Sequence, residues 1–240
     1  MKETILGINV SVDSYSGLIS KIMEDIDRKR KSLIVAINPE KIMKAQKDQD
    51  LRALLNSAAY QIPDGVGVII ASKLKKGSIR KRITGIDMML RLCEAARDHH
   101  KKVFLYGAKP GVAEKAKQEL EVMYPGIQIV GTMDGYQKDQ DVVKNAINQS
   151  HAEILFVAMG SPAQENWIIA NMNDICPSIY QGVGGSFDVI SGNVKRAPKG
   201  FQSLGLEWFY RLIKEPWRLK RQLILPVFLV RALRDKVGTT

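Results

Sequence analysis

Asp64 has the setting that most invites chemistry. It stands between Pro63 and Gly65, just after the strand-like run 60–62, with no Lys or Arg beside it in the chain. A short carboxylate on so restrained a turn can serve as a general base. It can equally act as the N-cap of a helix that begins at Val66. Polar and glycine residues follow other strand-like runs in the same way. Asn38, Pro39 and Glu40 follow 32–37, Gly107 to Gly111 follow 103–106, and Gly160, Ser161, Gln164 and Glu165 follow 154–158. Gly182, Gly184, Gly185 and Asp188 follow 178–181. Ligands of open α/β sheets collect beyond the carboxyl ends of the strands, so these five strand ends are expected to converge on one rim.

Each feature has a bland reading beside the functional one. The turn from Gly107 to Gly111 leads from a strand into a helix and leaves backbone N–H groups that can receive phosphate; as a tight turn alone it needs the same glycines. It matches neither G-x-G-x-x-G nor a P-loop, which removes the main support for a nicotinamide dehydrogenase. Glycines at 182–185 permit close backbone approach to a ligand and are also ordinary in a strand-to-helix turn. Arg82 closes the basic loop 75–82 and can reach a phosphate or sugar, or simply be solvated. His99, His100 and His151 lack metal-ligand spacing, and there is no H-E-x-x-H, C-x-x-C or G-x-S-x-G. Neither a zinc site nor a hydrolase triad is expected, and no cofactor.

These residues need a scaffold, and the apolar patterning supplies one. The runs 32–37, 103–106, 127–130, 154–158 and 178–181 are short and rich in β-branched or aromatic residues, as doubly covered strands are. Between them, 14–29, 39–56, 86–99, 112–123, 140–149 and 162–172 carry apolar residues three and four apart, the pattern of amphipathic helices. This alternation predicts an α/β, Rossmann-like fold with a largely parallel sheet flanked by helices. After Asn193 only helical patterning remains. The expected division is a catalytic body, 1–194, and a C-terminal helical appendage, 195–240.

The chain of 240 residues is 45% apolar and 25% charged, enough to bury a core and too apolar for wholesale disorder. Its two cysteines cannot form the disulfide framework of a secreted scaffold, and Met1 to Val10 lacks the features of an export signal; a reducing, cytoplasmic setting is expected. The longest unbroken apolar run, 223–230, contains Pro226 and is far short of the ~20 residues that cross a bilayer. The net charge is +11, and the stretch from Lys195 onward holds eleven basic residues against three acids. Most of the excess therefore sits in the appendage, together with Trp208, Phe209, Trp217, Leu223, Ile224 and Phe228. Such a segment suits an interfacial helix on an anionic membrane surface. It can also be a helical hairpin docked on the core, or a face covered by a second subunit in a homo-oligomer. The basic residues follow no nucleic-acid motif, so no nucleic-acid partner is expected.

Taken in order, these strings resemble the WecG/TagA/CpsF family of bacterial glycosyltransferases over nearly the whole chain. They are Asn38-Pro39-Glu40, Pro63-Asp64-Gly65-Val66-Gly67, Arg82-Ile83-Thr84-Gly85-Ile86-Asp87, Gly107 through Glu114, and Gly160-Ser161-Pro162-Ala163-Gln164-Glu165. They continue with Gly184-Gly185-Ser186-Phe187-Asp188, Gly192, Arg196-Ala197-Pro198, Gly205-Leu206-Glu207-Trp208, Arg211, Glu215-Pro216, Arg218 and Arg221. The resemblance implies metal-independent, inverting transfer of N-acetylmannosamine, or a related hexosaminyl unit or uronic acid, from a UDP-sugar to undecaprenyl-diphosphate-linked N-acetylglucosamine. That is a step of wall teichoic acid or similar envelope polymer synthesis. It makes Asp64 the catalytic base, places Asn38, Arg82 and Gln164 in the pocket, and gives Arg211, Arg218 and Arg221 the task of neutralising the departing UDP. Ala36 departs from the family, which often has Thr two residues before the Asn. The competing classes are a non-catalytic nucleotide-binding module and a structural membrane adaptor; the latter leaves the polar residues at the strand ends unexplained.

Overall fold

The computed structural model describes residues 1–203, 205–214 and 223–235. The chain opens with a small antiparallel hairpin, β1 (Lys2–Ile5) and β2 (Ile8–Ser11). Six strands then build one sheet: β3 (Ser32–Ile37), β4 (Tyr60–Pro63), β5 (Lys102–Gly107), β6 (Gln128–Met133), β7 (Ile154–Ala158) and β8 (Ile179–Gly182). All neighbours are parallel, in the order β4-β3-β8-β7-β5-β6. Parallel strands need crossover connections, and here helices supply every one. They are α2 (Pro39–Ala45), α3 (Gln49–Ser57), α4 (Val66–Leu74), α5 (Gly85–Asp98), α6 (Val112–Met123), α7 (Gln140–Ser150) and α8 (Ala163–Asn171), while α1 (Tyr15–Asp27) leads from the hairpin into β3 and α9 (Ser186–Ile190) follows β8. Beyond Asn193 the described residues form α10 (Lys199–Ser203), α11 (Glu207–Lys214) and α12 (Ile224–Arg234).

The strand residues point alternately to two faces, and both faces are buried. Ile34, Leu105, Phe156 and Ile179 join α1, α5, α6 and α9 in one core. Leu33, Val35, Ile37, Tyr106, Val157 and Tyr180 join the hairpin and α2, α3, α4, α7, α8 and α12 in the other. This explains why the strands read as continuous apolar runs rather than alternating ones. Phe228 and Ala232 of α12 are fully buried in the second core, so the appendage packs into the body through its own apolar stripe.

The predicted helix 39–56 is two helices. The chain turns after Ala45, and Asp48 accepts a hydrogen bond from the Leu51 N–H at 2.9 Å to start α3 afresh. An Asp in this position satisfies one of the orphan N–H groups of the new helix, and that signal outweighs the continuous apolar spacing. The reading at Asp64 is also corrected in part: the N-cap of α4 is Gly65, with no side-chain cap, so Asp64 is not engaged as a helix cap.

The layering fixes where a ligand can sit. After β3 the chain enters α2 on one face of the sheet, whereas after its neighbour β8 it enters α9 on the other. Connections that leave adjacent strands in opposite directions open a crevice between them, the topological switch point of an open α/β sheet.

Candidate active site

A cavity of about 400 Å³ occupies that crevice. Asn38 and Pro39 after β3, Asp64 and Gly65 after β4, Ser161 and Gln164 after β7, and Gly182 to Gly185 after β8 line it. The rim is thus built on four of the five expected strand ends. Gly107, at the end of β5, is not among the lining residues. Its φ is +118°, and a Cβ there would lie 2.5 Å from the Ala158 carbonyl oxygen, so the glycine is explained by close packing of β5 on β7. Asp188, in the first turn of α9, is also outside the lining.

Local folding holds the remaining polar residues in place. The Asn38 side chain accepts from the Lys41 N–H at 2.9 Å and so starts α2. The Asp64 N–H donates to the Ile37 carbonyl at 2.8 Å, and the Ile83 N–H donates to the Pro63 carbonyl at 2.8 Å, which stitches the Asp64 turn between β3 and the strand-like approach to α5. Thr84 caps α5, and the Gly85 N–H in its first turn faces Asp64 Oδ2 at 3.4 Å. Gln164 lies across Gly182, where a Cβ would fall 2.4 Å from Gln164 Nε2, and its Oε1 accepts from the Gly184 N–H at 2.9 Å. Gly182 is therefore required by a side chain that crosses its face.

Charge is concentrated around Asp64. Its carboxyl is pushed above the ordinary range by burial; the Arg82 guanidinium and the Gly85 N–H oppose this, and Glu207 adds to it. Arg82 is not a solvated loop residue, for it pairs with Glu207 of α11. Glu207 also holds Arg196 at 3.1 Å, and Arg196 reaches Asp87 at 2.7 Å. Burial would raise the Asp87 carboxyl, but hydrogen bonds from Arg196 and Thr84 outweigh it and hold it below the usual range. The appendage closes the cavity with Glu207, Trp208, Ile224 and Leu225, and the Trp208 indole N–H is buried without a partner among the described residues.

Three functional residues had no assigned role in the sequence. Lys41 lines the cavity and pairs with the buried Glu165 at 2.6 Å, while Gln164 donates to the same carboxylate oxygen at 3.1 Å. Glu165 thereby orients both. Glu207 joins the appendage to two arginines of the body. Adjacency in sequence gave no sign of these pairs. A charged residue on the apolar stripe of a predicted helix was the one available signal, and Lys41 in α2 shows it. Of the expected arginines, Arg218 and Arg221 lie outside the described residues, and for Arg211 only its place in α11 is described. Among the described residues no group of three or more His, Cys, Asp or Glu side chains could hold a metal ion, and no helix is long and apolar enough to cross a membrane.

A half-buried carboxylate beside a guanidinium, in a cavity at a topological switch point, can deprotonate an alcohol while cations nearby receive an anion. Known proteins resemble the chain over nearly its whole length. Residues 3–240 match the model of the Glycosyl transferase WecG/TagA/CpsF family. The chain is 39% identical over 230 residues to the N-acetylglucosaminyldiphosphoundecaprenol N-acetyl-beta-D-mannosaminyltransferase of Bacillus subtilis (strain 168), covering 95% of this chain and 89% of the relative. It is also 39% identical over 211 residues to the enzyme of the same name from Bacillus spizizenii, covering 88% and 82%. A fold with its polar strand ends gathered at one crevice and a sequence match of this extent lead to one conclusion: the chain belongs to the WecG/TagA/CpsF family and is a hexosyltransferase.

Proposed function

We propose that the protein transfers N-acetylmannosamine from UDP-N-acetylmannosamine to N-acetylglucosamine carried on undecaprenyl diphosphate, with inversion at the anomeric carbon, as the linkage step of wall teichoic acid synthesis. The relatives' names supply the acceptor and the transferred sugar. The observation that carries the chemistry is Asp64: a carboxylate at the cavity wall, raised in pKa by burial, with Arg82 close enough to oppose that rise. In this reading Asp64 takes the proton of the acceptor hydroxyl as its oxygen attacks the anomeric carbon, and the glycosidic bond to UDP breaks on the opposite face. A base whose pKa lies closer to the working pH than an ordinary carboxylate's transfers the proton with a better driving force.

Asn38, Arg82 and Gln164 hold the sugars, and the Trp208 N–H is a donor left to a ligand oxygen. The leaving UDP gains negative charge, and Arg211, Arg218 and Arg221 of the appendage are the proposed counter-charges, since a guanidinium offers paired donors to phosphate oxygens. Gly107 and Asp188 lie outside the lining and are given no role in this reading. Lipid-linked acceptors are met at a membrane face, and we assign the appendage, 195–240, two tasks: closing the cavity and resting on anionic lipid. In support of the second, Phe209, Ile213, Leu223, Val227 and Val230 are exposed on α11 and α12 in a segment rich in Lys and Arg. Incubation with UDP-N-acetylmannosamine and a lipid-diphosphate N-acetylglucosamine analogue should release UDP and extend the acceptor by one sugar. Release with another UDP-hexosamine or uronic acid alone would move the assignment to that donor; release with none would sink it.

A further inference from the structure

We propose that a second cavity, on the far side of the wall formed by Val66, Arg82 and Thr84, seats the diphosphate of the lipid-linked acceptor, with Arg80 and Lys81 as its phosphate-binding cations. This rests on the reading that the acceptor is a sugar on a lipid diphosphate. The second cavity holds about 470 Å³ and shares those three wall residues with the cavity of Asp64. An acceptor hydroxyl and its diphosphate lie on opposite sides of one hexose ring. A diphosphate whose sugar meets Asp64 must therefore sit one sugar away, and the neighbouring cavity is the one that shares a wall with it.

The lining has the chemistry for such a group. Arg80, Lys81 and Arg82 supply three consecutive cations, and Tyr15 and Thr84 add hydroxyls. The one acid in the lining, Asp87, is already engaged by Arg196 at 2.7 Å and by the Thr84 hydroxyl at 2.6 Å. Arg82 is committed to Glu207, so the exposed pair Arg80 and Lys81 is what an incoming phosphate meets. These cations are not on a slack loop. Glu3 of β1 accepts from the Ser72 hydroxyl at 2.8 Å and from the N–H groups of Ser78 at 2.9 Å and Ile79 at 3.3 Å. Ile79 and Ile83 are 2% and 1% exposed and anchor the loop on either side of the basic residues. Gly77 leaves room for the Glu3 carboxylate, since a Cβ there would lie 2.0 Å from Glu3 Oε1. A loop ordered in advance gives up less entropy when it binds.

The lipid also has a path. Val66 and Ile69 line the second cavity, and at about 3.6 residues per turn they share one side of α4 with Ile70 and Leu74. The latter two are 37% and 39% exposed, so an apolar stripe leaves the cationic cavity and runs out along the helix. A cationic socket continuous with an apolar track matches an amphiphile with a diphosphate head.

The test measures both substrates separately in the full-length enzyme. In Arg80→Ala/Lys81→Ala the KM for a short-chain lipid-diphosphate N-acetylglucosamine should rise roughly 10-fold, the effect of losing partly solvated phosphate contacts, while the KM for the UDP-sugar stays put. Lys115→Ala/Lys138→Ala, which removes the same charge outside both cavities, should change neither. Binding of the acceptor analogue without donor, followed by calorimetry, should fall in parallel. An unchanged acceptor KM, an equal rise in both KM values, or an equal effect of the control pair would each overturn the proposal. Should the wild-type protein bind the analogue in this pattern yet turn over no UDP-sugar, the catalytic reading fails and the diphosphate site stands.

Discussion

At the level of single residues, the environment of Asp64 sets expectations for rate, pH and stability together. Asp64→Asn should keep the fold and lower turnover by about 100-fold or more, the usual loss when a general base is removed. Because the Asp64 carboxyl is raised and the base must be ionised, kcat/KM should fall with decreasing pH at a point above the ordinary carboxylate value of 3.8. Glu207→Gln removes a negative neighbour that raises Asp64 and frees Arg82, which lowers it, so the acid limb of the pH profile should move to lower pH. Stability follows the same sign. A carboxyl raised in the folded state binds its proton more tightly there than when unfolded, so stability falls as pH climbs from the unfolded value through the folded one. That cost grows from the unfolded value upward and is complete once the pH exceeds the folded one. Asp64→Asn should therefore melt at a higher temperature than the parent at pH 7, with the gain fading below the unfolded carboxylate value; thermal melts across pH measure it.

The elements carry a prediction about how the appendage is seated. A Cβ on Gly67 would lie 2.5 Å from Leu225 Cδ1 and 2.6 Å from Pro39 Cγ, and the proline ring cannot turn aside. Gly67→Ala should cost about 1–3 kcal/mol as an overpacked contact and loosen α12 specifically, which limited proteolysis near residue 223 would register. The same elements show what could be read from the chain. The parallel sheet was legible because the central strands are apolar on both faces, and α6 was legible to the residue because Pro110-Gly111 and Pro125-Gly126 bracket it. The break between α2 and α3 was missed because apolar spacing runs through it while a lone Asp48 does the capping. The hairpin β1–β2 was missed for the opposite reason: its four-residue strands are too short to show a period. At the site, Asp64, Asn38 and Gln164 stood out because each follows a strand. Glu207 and Arg82 are 125 residues apart and meet only through the packing of α11, which no local pattern encodes.

For the whole molecule, positive charge and exposed apolar residues fall in the same stretch of sequence, beyond residue 195. If the appendage rests on lipid, the protein should sediment with vesicles containing anionic lipid and release as salt rises toward 0.5 M, on the order of conditions where screening acts within a few ångströms. Leu223→Asp/Val227→Asp, at two exposed positions, should weaken that association without lowering the melting temperature much. Binding to neutral vesicles of equal strength would speak against the electrostatic part.

The carboxylate of Glu207, held between Arg82 and Arg196, together with Asp87 on Arg196, means that these two arginines are already neutralised before anything arrives. An anion that reaches this pair does not fall onto bare cations; it must trade places with a resident side chain. Selection then works by exchange, rewarding ligands with enough phosphate oxygens to outbid a single glutamate and turning away inorganic anions that the arginines alone would have captured.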